Sequence, residues 1–178
     1  ERVRTLMGRY HDVARRVLES HGGTIEKFIG DAVMAVFGVP TVREDDALRA
    51  VRAACELRDE LGATGVPVRI GVNTGEVVAG GGEALVTGDA VNVAARLEQQ
   101  AGVGEVWIGD TTHRLTREAV HSEPLGVTAK GKRAPLAAHR LLSVSAHAQA
   151  IPRRIDSALV GRTLEVNMLS EAFERSAS

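Results

Sequence analysis

Two short segments contain the residues whose types and spacing could do chemistry. In the first, Lys27 and Asp31 lie four residues apart at the tip of a predicted hairpin. In the second, Asn92 and Arg96 are also four residues apart, so on a helix they share one face. A carboxylate binds divalent cations, and a guanidinium donates two parallel hydrogen bonds to a phosphate. Together the two segments predict a site that binds metal and phosphate.

Each of these residues also has an ordinary structural interpretation. An aspartate after a glycine is most often a turn former, and a strand lysine can protect an edge or extend its amine to solvent. Alternation along the strand places Lys27 on the face of Ile25 and Ile29, which favours a donor aimed into a cleft. Lysine and aspartate would then flank one ligand.

The Asn92 and Arg96 pair is weighed in the same way. On most helices such a pair is a solvated face. Here the neighbouring positions 90, 91, 93, 94, 95 and 97 are all apolar, which predicts a largely buried helix. Charged groups on a buried helix need partners, and a phosphate is one such partner.

Composition excludes several classes of protein. The 178 residues suffice for one full domain, and a net charge of -1 gives no electrostatic footprint for nucleic acid or a membrane surface. One cysteine, Cys55, fits a small buried residue in a reducing, cytoplasmic protein. No run reaches the length of a membrane span. Because the chain begins without Met and in a helical pattern, we expect it to be part of a longer polypeptide.

Hydrophobic periodicity predicts a mixed α/β fold. The predicted helices cover the first twenty residues, 43–62, 89–100 and a short stretch from 110. The predicted strands cover 24–29, 32–37, 68–72, 76–79, 105–108 and two runs within 119–143. The order at the start is that of a split βαβ unit whose leading strand is missing.

Two further patterns are discounted. Residues 126–132 have P-loop spacing, but Arg133 stands where Ser or Thr must hold magnesium, and Pro135 blocks the helix that should follow. The six histidines show no spacing typical of zinc ligands.

Three ordered motifs resemble the class III nucleotidyl cyclase catalytic domain. They are EKFIGDAVMAVFG at 26–38, GDAVNVAARLE at 88–98 and Lys130-Gly131-Lys132, and the resemblance covers residues 1–142. It implies a ferredoxin-like α/β core, paired head to tail as a homodimer with active sites at the interface. It also implies two Mg²⁺ or Mn²⁺ ions and conversion of ATP to cyclic AMP and pyrophosphate.

The same resemblance implies a role for each candidate residue. Asp31 resembles one of the family's two metal-holding aspartates, and Lys27 the lysine that contacts the purine edge. Asn92 resembles the asparagine that orients the ribose, and Arg96 the arginine that stabilises the transition state. Lys130 resembles the lysine that contacts the terminal phosphates.

The sequence departs from the family pattern in two places. The other metal aspartate belongs to the missing leading strand, so residues 1–178 alone are expected to hold the ions poorly and to make little product. Leu85 stands where cyclases carry Asp or Thr for purine recognition. Because leucine cannot hydrogen-bond the base, both ATP and GTP remain candidate substrates.

Residues after the cyclase-like region predict further organisation. Residues 143–158 have the composition of a linker, and 159–178 resemble the entry to the ATPase module of large bacterial signalling regulators. Two hypotheses follow. The chain is either a catalytic cyclase domain or a degenerate cyclase homology domain that binds nucleotide, or only dimerises, to regulate the attached module.

Overall fold

The computed structural model describes residues 2–80, 86–127 and 136–145 and positions 148, 168, 170, 173 and 175. Its elements are α1 (Arg2–Ser20), β1 (Thr24–Ile29), β2 (Ala32–Val36), α2 (Asp46–Ala63), β3 (Ile70–Val72), β4 (Val78–Ala79), β5 (Val86–Thr87), α3 (Asp89–Gln100), β6 (Val106–Gly109), α4 (Asp110–Thr116), β7 (Val120–Val127) and β8 (Leu136–Val144). The predicted mixed α/β fold is confirmed. Among the described residues, no helix is both long and apolar enough to cross a membrane.

Several predictions lie outside the described residues: Leu85, the Lys130 loop, most of the linker and most of the following module. One boundary can be compared. Strand β8 continues to Val144, two residues into the segment assigned to the linker. Strand β5 was not predicted from the sequence.

A four-stranded sheet forms the centre of the fold, with strand order β3-β6-β8-β7. Strands β3 and β6 are parallel, whereas β6-β8 and β8-β7 are antiparallel. A parallel pair requires a crossover connection, and α3 lies within it. The hairpins β1-β2 and β4-β5 form two further, separate sheets.

The sheet is packed on both faces. On one face, α2 residues Val51 and Ala54 pack against Val106 and Ile108 of β6. On the other face, the buried side of α3 packs against β6, β7 and β8 through Val93, Leu97, Trp107, Leu125 and Ala138. Each large apolar side chain that is fully buried contributes roughly 1.5–3 kcal/mol. These contacts fix α3 on the sheet.

Helix α1 supports the first hairpin. Its buried residues Tyr10, Ala14 and Val17 pack against α2 and against Ile25 and Phe28 of β1. The helix ends where Gly22 adopts a φ of +77° and the Gly23 N–H donates to the Leu18 carbonyl over 2.8 Å. This termination turns the chain directly into β1.

One histidine of α4 and one of β8 stack on each other. Their arrangement predicts that the fold loses stability in acid. The His113 and His139 rings lie 3.8 Å apart, and Asp110 Oδ1 is 3.8 Å from His139 Nε2. Burial and then the charge of His113 lower the pKa of His139, although Asp110 opposes them. The folded state therefore binds this proton less readily than the unfolded chain, so the stability from neutral His139 is present above about pH 6.5 and lost below it.

We expect His139→Gln to reduce the fall in unfolding free energy between about pH 7.5 and pH 5.5. Urea unfolding at both pH values measures this fall. His121→Gln, at an exposed position of β7, is the matched control and should leave the fall unchanged. An identical pH dependence in His139→Gln and the wild-type chain would contradict the prediction.

Candidate active site

The tip of the β1-β2 hairpin exposes a lysine and an aspartate. Gly30 has a φ of +62°, a conformation that glycine adopts without strain, and this permits the tight turn before Asp31. Lys27 and Asp31 are both exposed. In the described part of the chain neither forms an ion pair, so both side chains are available to a ligand.

The face predicted for Lys27 is wrong. Strand pairing shifts between Ile25 and Lys27, which pair with Ala35 and Met34, so Glu26 is the extra residue of a β-bulge. After the bulge, Phe28 packs into the core together with Ile25, and Ile29 is 57% exposed. Lys27 therefore lies on an open surface of the hairpin and not within an apolar face.

Tyr10 of α1 packs in the core cluster that supports the β1-β2 hairpin. Burial raises the pKa of its hydroxyl above the usual value, and the negative charges of Asp31 and Glu98 raise it further, although the Val33 backbone opposes them. The Tyr10 hydroxyl thus interacts electrostatically with Asp31 of the hairpin and with Glu98 in the last turn of α3. The His11 ring also packs against Phe28, with centroids 4.3 Å apart.

The second pair lies on the outward side of α3. Asn92 is exposed and Arg96 is half-buried, and in the described part of the chain Arg96 has no carboxylate partner. The prediction of a largely buried helix is wrong, because only Val93 and Leu97 are buried. The remaining apolar positions are mostly alanines, which leave the outward face accessible. The side chains of Asn92 and Arg96 are therefore available to an incoming ligand.

The hairpin pair and the α3 pair are not joined directly within one chain. Among the described residues, no hydrogen bond or ion pair joins Lys27 or Asp31 to Asn92 or Arg96. We call the hairpin pair and the α3 pair the two half-sites. Leu85 and Lys130, the other candidate residues, lie outside the described ranges.

The metal-binding prediction rests on Asp31 alone. Within the described ranges, no group of three or more His, Cys, Asp or Glu side chains could hold a metal ion. A divalent cation takes about six oxygen ligands, so Asp31 fits as one ligand and does not by itself complete a site for two ions. The remaining oxygens would have to come from substrate phosphates or from other parts of the protein.

An open cleft of about 700 Å³ lies at the first turns of α3 and α4. Its lining includes Asn73, Gly75 and Ala90, together with acidic residues at both helix starts, Asp89 and Asp110. None of the four described candidate residues lines this cleft. The chemistry predicted from the sequence therefore belongs to the outward face of α3 and to the hairpin tip.

The residues that hold α3 in place were not predicted from the sequence. Gly71, Asn73 and Gly75 follow one another at alternate positions from β3 onward, and the Asn73 side-chain amide donates to the Ala90 carbonyl over 3.1 Å. Their spacing of two was the available signal, since alternate residues of a strand share one face.

A match to a family model covers residues 1–140, and its description is the adenylate and guanylate cyclase catalytic domain. An adenylate cyclase of Mycobacterium tuberculosis is 36% identical over 139 residues, which are 71% of this chain and 31% of that protein. This chain thus spans about a third of the length of that relative.

Solved structures agree with the family match. The guanylyl cyclase Cya2 is similar with a TM-score of 0.74 and 32% identity, over 83% of both chains. The adenylyl cyclase CyaB from P. aeruginosa is similar with a TM-score of 0.73 and 28% identity, over 84% of this chain and 86% of that one. Sequence and fold agree over the region that contains both half-sites, and this chain belongs to the adenylate and guanylate cyclase catalytic domain family.

Proposed function

We propose that this chain is the catalytic domain of a nucleotidyl cyclase that converts ATP to cyclic AMP and pyrophosphate. The observation that carries the proposal is the outward face of α3. That helix is fixed to the sheet through Val93 and Leu97, while Asn92 and Arg96, each one residue before a buried position, lie on its more accessible side. An amide and a guanidinium on a rigid helix suit the recognition of ribose and phosphate.

The reaction needs little covalent chemistry from the protein. The ribose 3′-oxygen forms a bond to the α-phosphorus, the bond from that phosphorus to the pyrophosphate oxygen breaks, and the 3′-hydroxyl proton passes to solvent. Negative charge builds up on the phosphate oxygens. Arg96 would stabilise that charge with two parallel N–H donors, and Asn92 would hold the ribose so that its 3′-oxygen faces the phosphorus.

A dimer would complete each site. Because no hydrogen bond or ion pair joins Asp31 to Asn92 or Arg96 among the described residues of one chain, we propose that two copies associate head to tail. Twofold symmetry would then place the Asp31 of one copy opposite the Asn92 and Arg96 of its partner, twice per dimer. In this arrangement Lys27 serves the site formed by its own α3, and Asp31 serves the other site.

The proposed cofactor is a pair of Mg²⁺ or Mn²⁺ ions. Asp31 would be one of their ligands, since its carboxylate is exposed and has no ion-pair partner among the described residues. Bound ions would polarise the phosphate oxygens and activate the attacking hydroxyl.

The proposed substrate is ATP, with GTP as the alternative. Lys27 would contact the purine edge and Lys130 the terminal phosphates. Leu85 supplies no hydrogen bond to a base, and a site without that bond rejects the wrong purine less strongly than one that has it. Adenylyl and guanylyl cyclases both occur among the similar structures, so the assay must include both nucleotides.

A second candidate function is regulatory. The described residues supply one candidate metal carboxylate, and this favours a degenerate cyclase homology domain that binds nucleotide or dimerises without turnover. In either case we propose that the domain belongs to a larger signalling regulator, with an ATPase-like module beginning near residue 159.

An assay of the longer protein separates the two functions. The protein is incubated with ATP or GTP, each with Mg²⁺ or Mn²⁺, and the cyclic nucleotide and pyrophosphate are quantified. Equal amounts of cyclic nucleotide and pyrophosphate would support the cyclase. Nucleotide binding without either product would support the regulatory alternative.

Asp31→Asn should lower the rate of cyclic nucleotide formation by at least about a hundredfold, because an amide is a much weaker ligand than a carboxylate for a divalent cation. Initial rates measured over a Mn²⁺ titration test this. Asp12→Asn, at an exposed position of α1, is the control and should leave the rate unchanged. A wild-type rate and Mn²⁺ dependence in Asp31→Asn would remove Asp31 from the site.

A further inference from the structure

Three alternating residues form the surface on which α3 rests. Gly71 lies in β3, and Asn73 and Gly75 lie one and three residues beyond the end of that strand. We call Gly71, Asn73 and Gly75 the α3 seat. Each member is in close contact with the backbone or the Cβ atoms of α3.

Gly71 allows the backbone of α3 to lie directly on the strand. A Cβ atom at this position would overlap the Ala94 carbonyl oxygen and would stand 2.5 Å from the Glu98 nitrogen. Both neighbours are helix backbone, which cannot move aside as the end of a flexible side chain can. Any side chain at Gly71 would therefore push α3 away from the sheet.

Asn73 and Gly75 hold the first turn of the helix. Asn73 donates to the Ala90 carbonyl over 3.1 Å, and its own amide oxygen lies directly against Gly109 of β6. A Cβ atom at Gly75 would stand 3.0 Å from the Ala90 Cβ atom, which is closer than ordinary contact. Contacts at both ends of the seat thus fix the height of α3 above the sheet, and the Asn73 hydrogen bond fixes its position along the axis.

The α3 seat contacts a different side of the helix from the candidate catalytic face. Around the helix axis, Asn92 and Arg96 are each about 200° from the seat contacts Ala90 and Ala94, and Arg96 is about 100° from the seat contact Leu97. A movement of α3 away from the seat would therefore move the amide and the guanidinium outward by the same distance. In a preorganised site, a displacement of about 1 Å is enough to lower a rate by about a hundredfold.

We propose that Gly71, Asn73 and Gly75 are positioning residues for the reaction, which set the distance from the sheet at which α3 presents Asn92 and Arg96 to the substrate. The catalytic part of this proposal rests on the proposed function. The contact of the seat with α3 is independent of that function and can be measured separately.

A graded series of variants in the longer protein tests the proposal. Gly71→Ala, which overlaps the helix backbone, should lower kcat by about a hundredfold, and Gly75→Ala, which overlaps a methyl group, by about threefold to tenfold. KM for the nucleotide should change much less than kcat. Gly126→Ala is the matched strand control, because a Cβ atom there would meet no atom within 4 Å.

A second substitution should rescue the milder variant. Ala90→Gly removes the methyl group that a Gly75 side chain would touch, so Gly75→Ala/Ala90→Gly should recover most of the lost kcat. A general loss of stability would not be repaired in this way, since a helix glycine itself costs about 1 kcal/mol relative to alanine. The rescue also keeps the proposal testable if Gly71→Ala does not fold.

Trp107 provides a readout that does not depend on activity. It is the only tryptophan in the chain and packs in the cluster that contains Val93 and Leu97 of α3. Its emission should shift in Gly71→Ala and Gly75→Ala, return with Ala90→Gly and stay unchanged in Gly126→Ala. Unchanged emission and kcat in the seat variants, or a kcat that Ala90→Gly does not restore, would overturn the proposal. Shifted emission in a protein that makes no cyclic nucleotide would support the seat and overturn the catalytic part.

Discussion

Arg96→Ala in the longer protein should lower kcat by about two to three orders of magnitude and leave nucleotide affinity nearly unchanged. The Arg96 guanidinium is half-buried on a helix that is fixed to the sheet, and it has no carboxylate partner among the described residues. Its donors are therefore free to bind the charge that develops on the phosphate. That charge is larger in the transition state than in bound ATP, so the loss should fall on kcat.

Single-turnover rates and equilibrium binding of a non-reactive ATP analogue separate the two effects. Asn92→Ala, one helical turn away, should also lower kcat, because the ribose loses its orientation. Arg9→Ala, at an exposed position of α1, is the control for a lost surface charge and should behave as the wild type. Weaker binding at an unchanged kcat would assign Arg96 to a regulatory nucleotide site, and wild-type behaviour of both α3 variants would exclude the catalytic interpretation of α3.

The helices were the most predictable part of the fold. A period of 3.6 residues predicted α3 at 89–100, and the structure gives Asp89–Gln100. The helix predicted at 43–62 begins later, because residues 43–45 form a turn in which the Arg43 N–H donates to the Asp46 carboxylate over 2.6 Å. Local periodicity predicted these elements because it depends only on neighbours along the chain.

Strand orientation was less predictable, because it depends on the partner strand. The bulge at Glu26 inserts a residue that has no counterpart in β2, and every later side chain of β1 changes face. Simple alternation therefore placed Lys27 and Ile29 on the wrong surface. Strand β5 has only two residues, too few for any period to be detected.

Residue types and spacing were enough to identify the candidate residues. They were not enough to predict the burial and the contacts of those residues. Counting apolar neighbours predicted a buried α3, although alanines leave its outward side open. The α3 seat could be predicted only if it were known which helix crosses β3. The contact between Gly71 and Ala94 joins residues that are far apart in sequence. Long-range contacts of this kind are set by the fold and not by local pattern.

Two inactive variants should restore activity when they are mixed. Asp31→Asn and Arg96→Ala are each expected to be inactive alone, because in a head-to-tail homodimer both sites would lack one group. In a mixed dimer, one site has both substitutions and the other has neither. Purification through both tags retains only mixed dimers, each with one intact site of two, so about half of wild-type activity should return.

A second mixture is the matched control. Asn92 and Arg96 lie on the same α3, so in a dimer of Asn92→Ala with Arg96→Ala each site has one defect and no activity should return. The experiment uses co-expression of differently tagged copies, purification through both tags and measurement of cyclic nucleotide. If Asp31 and Arg96 of one chain served the same site, the first mixture would contain no intact site. Absence of recovery in that mixture, with mixed dimers demonstrated by both tags, would therefore show that the half-sites are not shared between two chains.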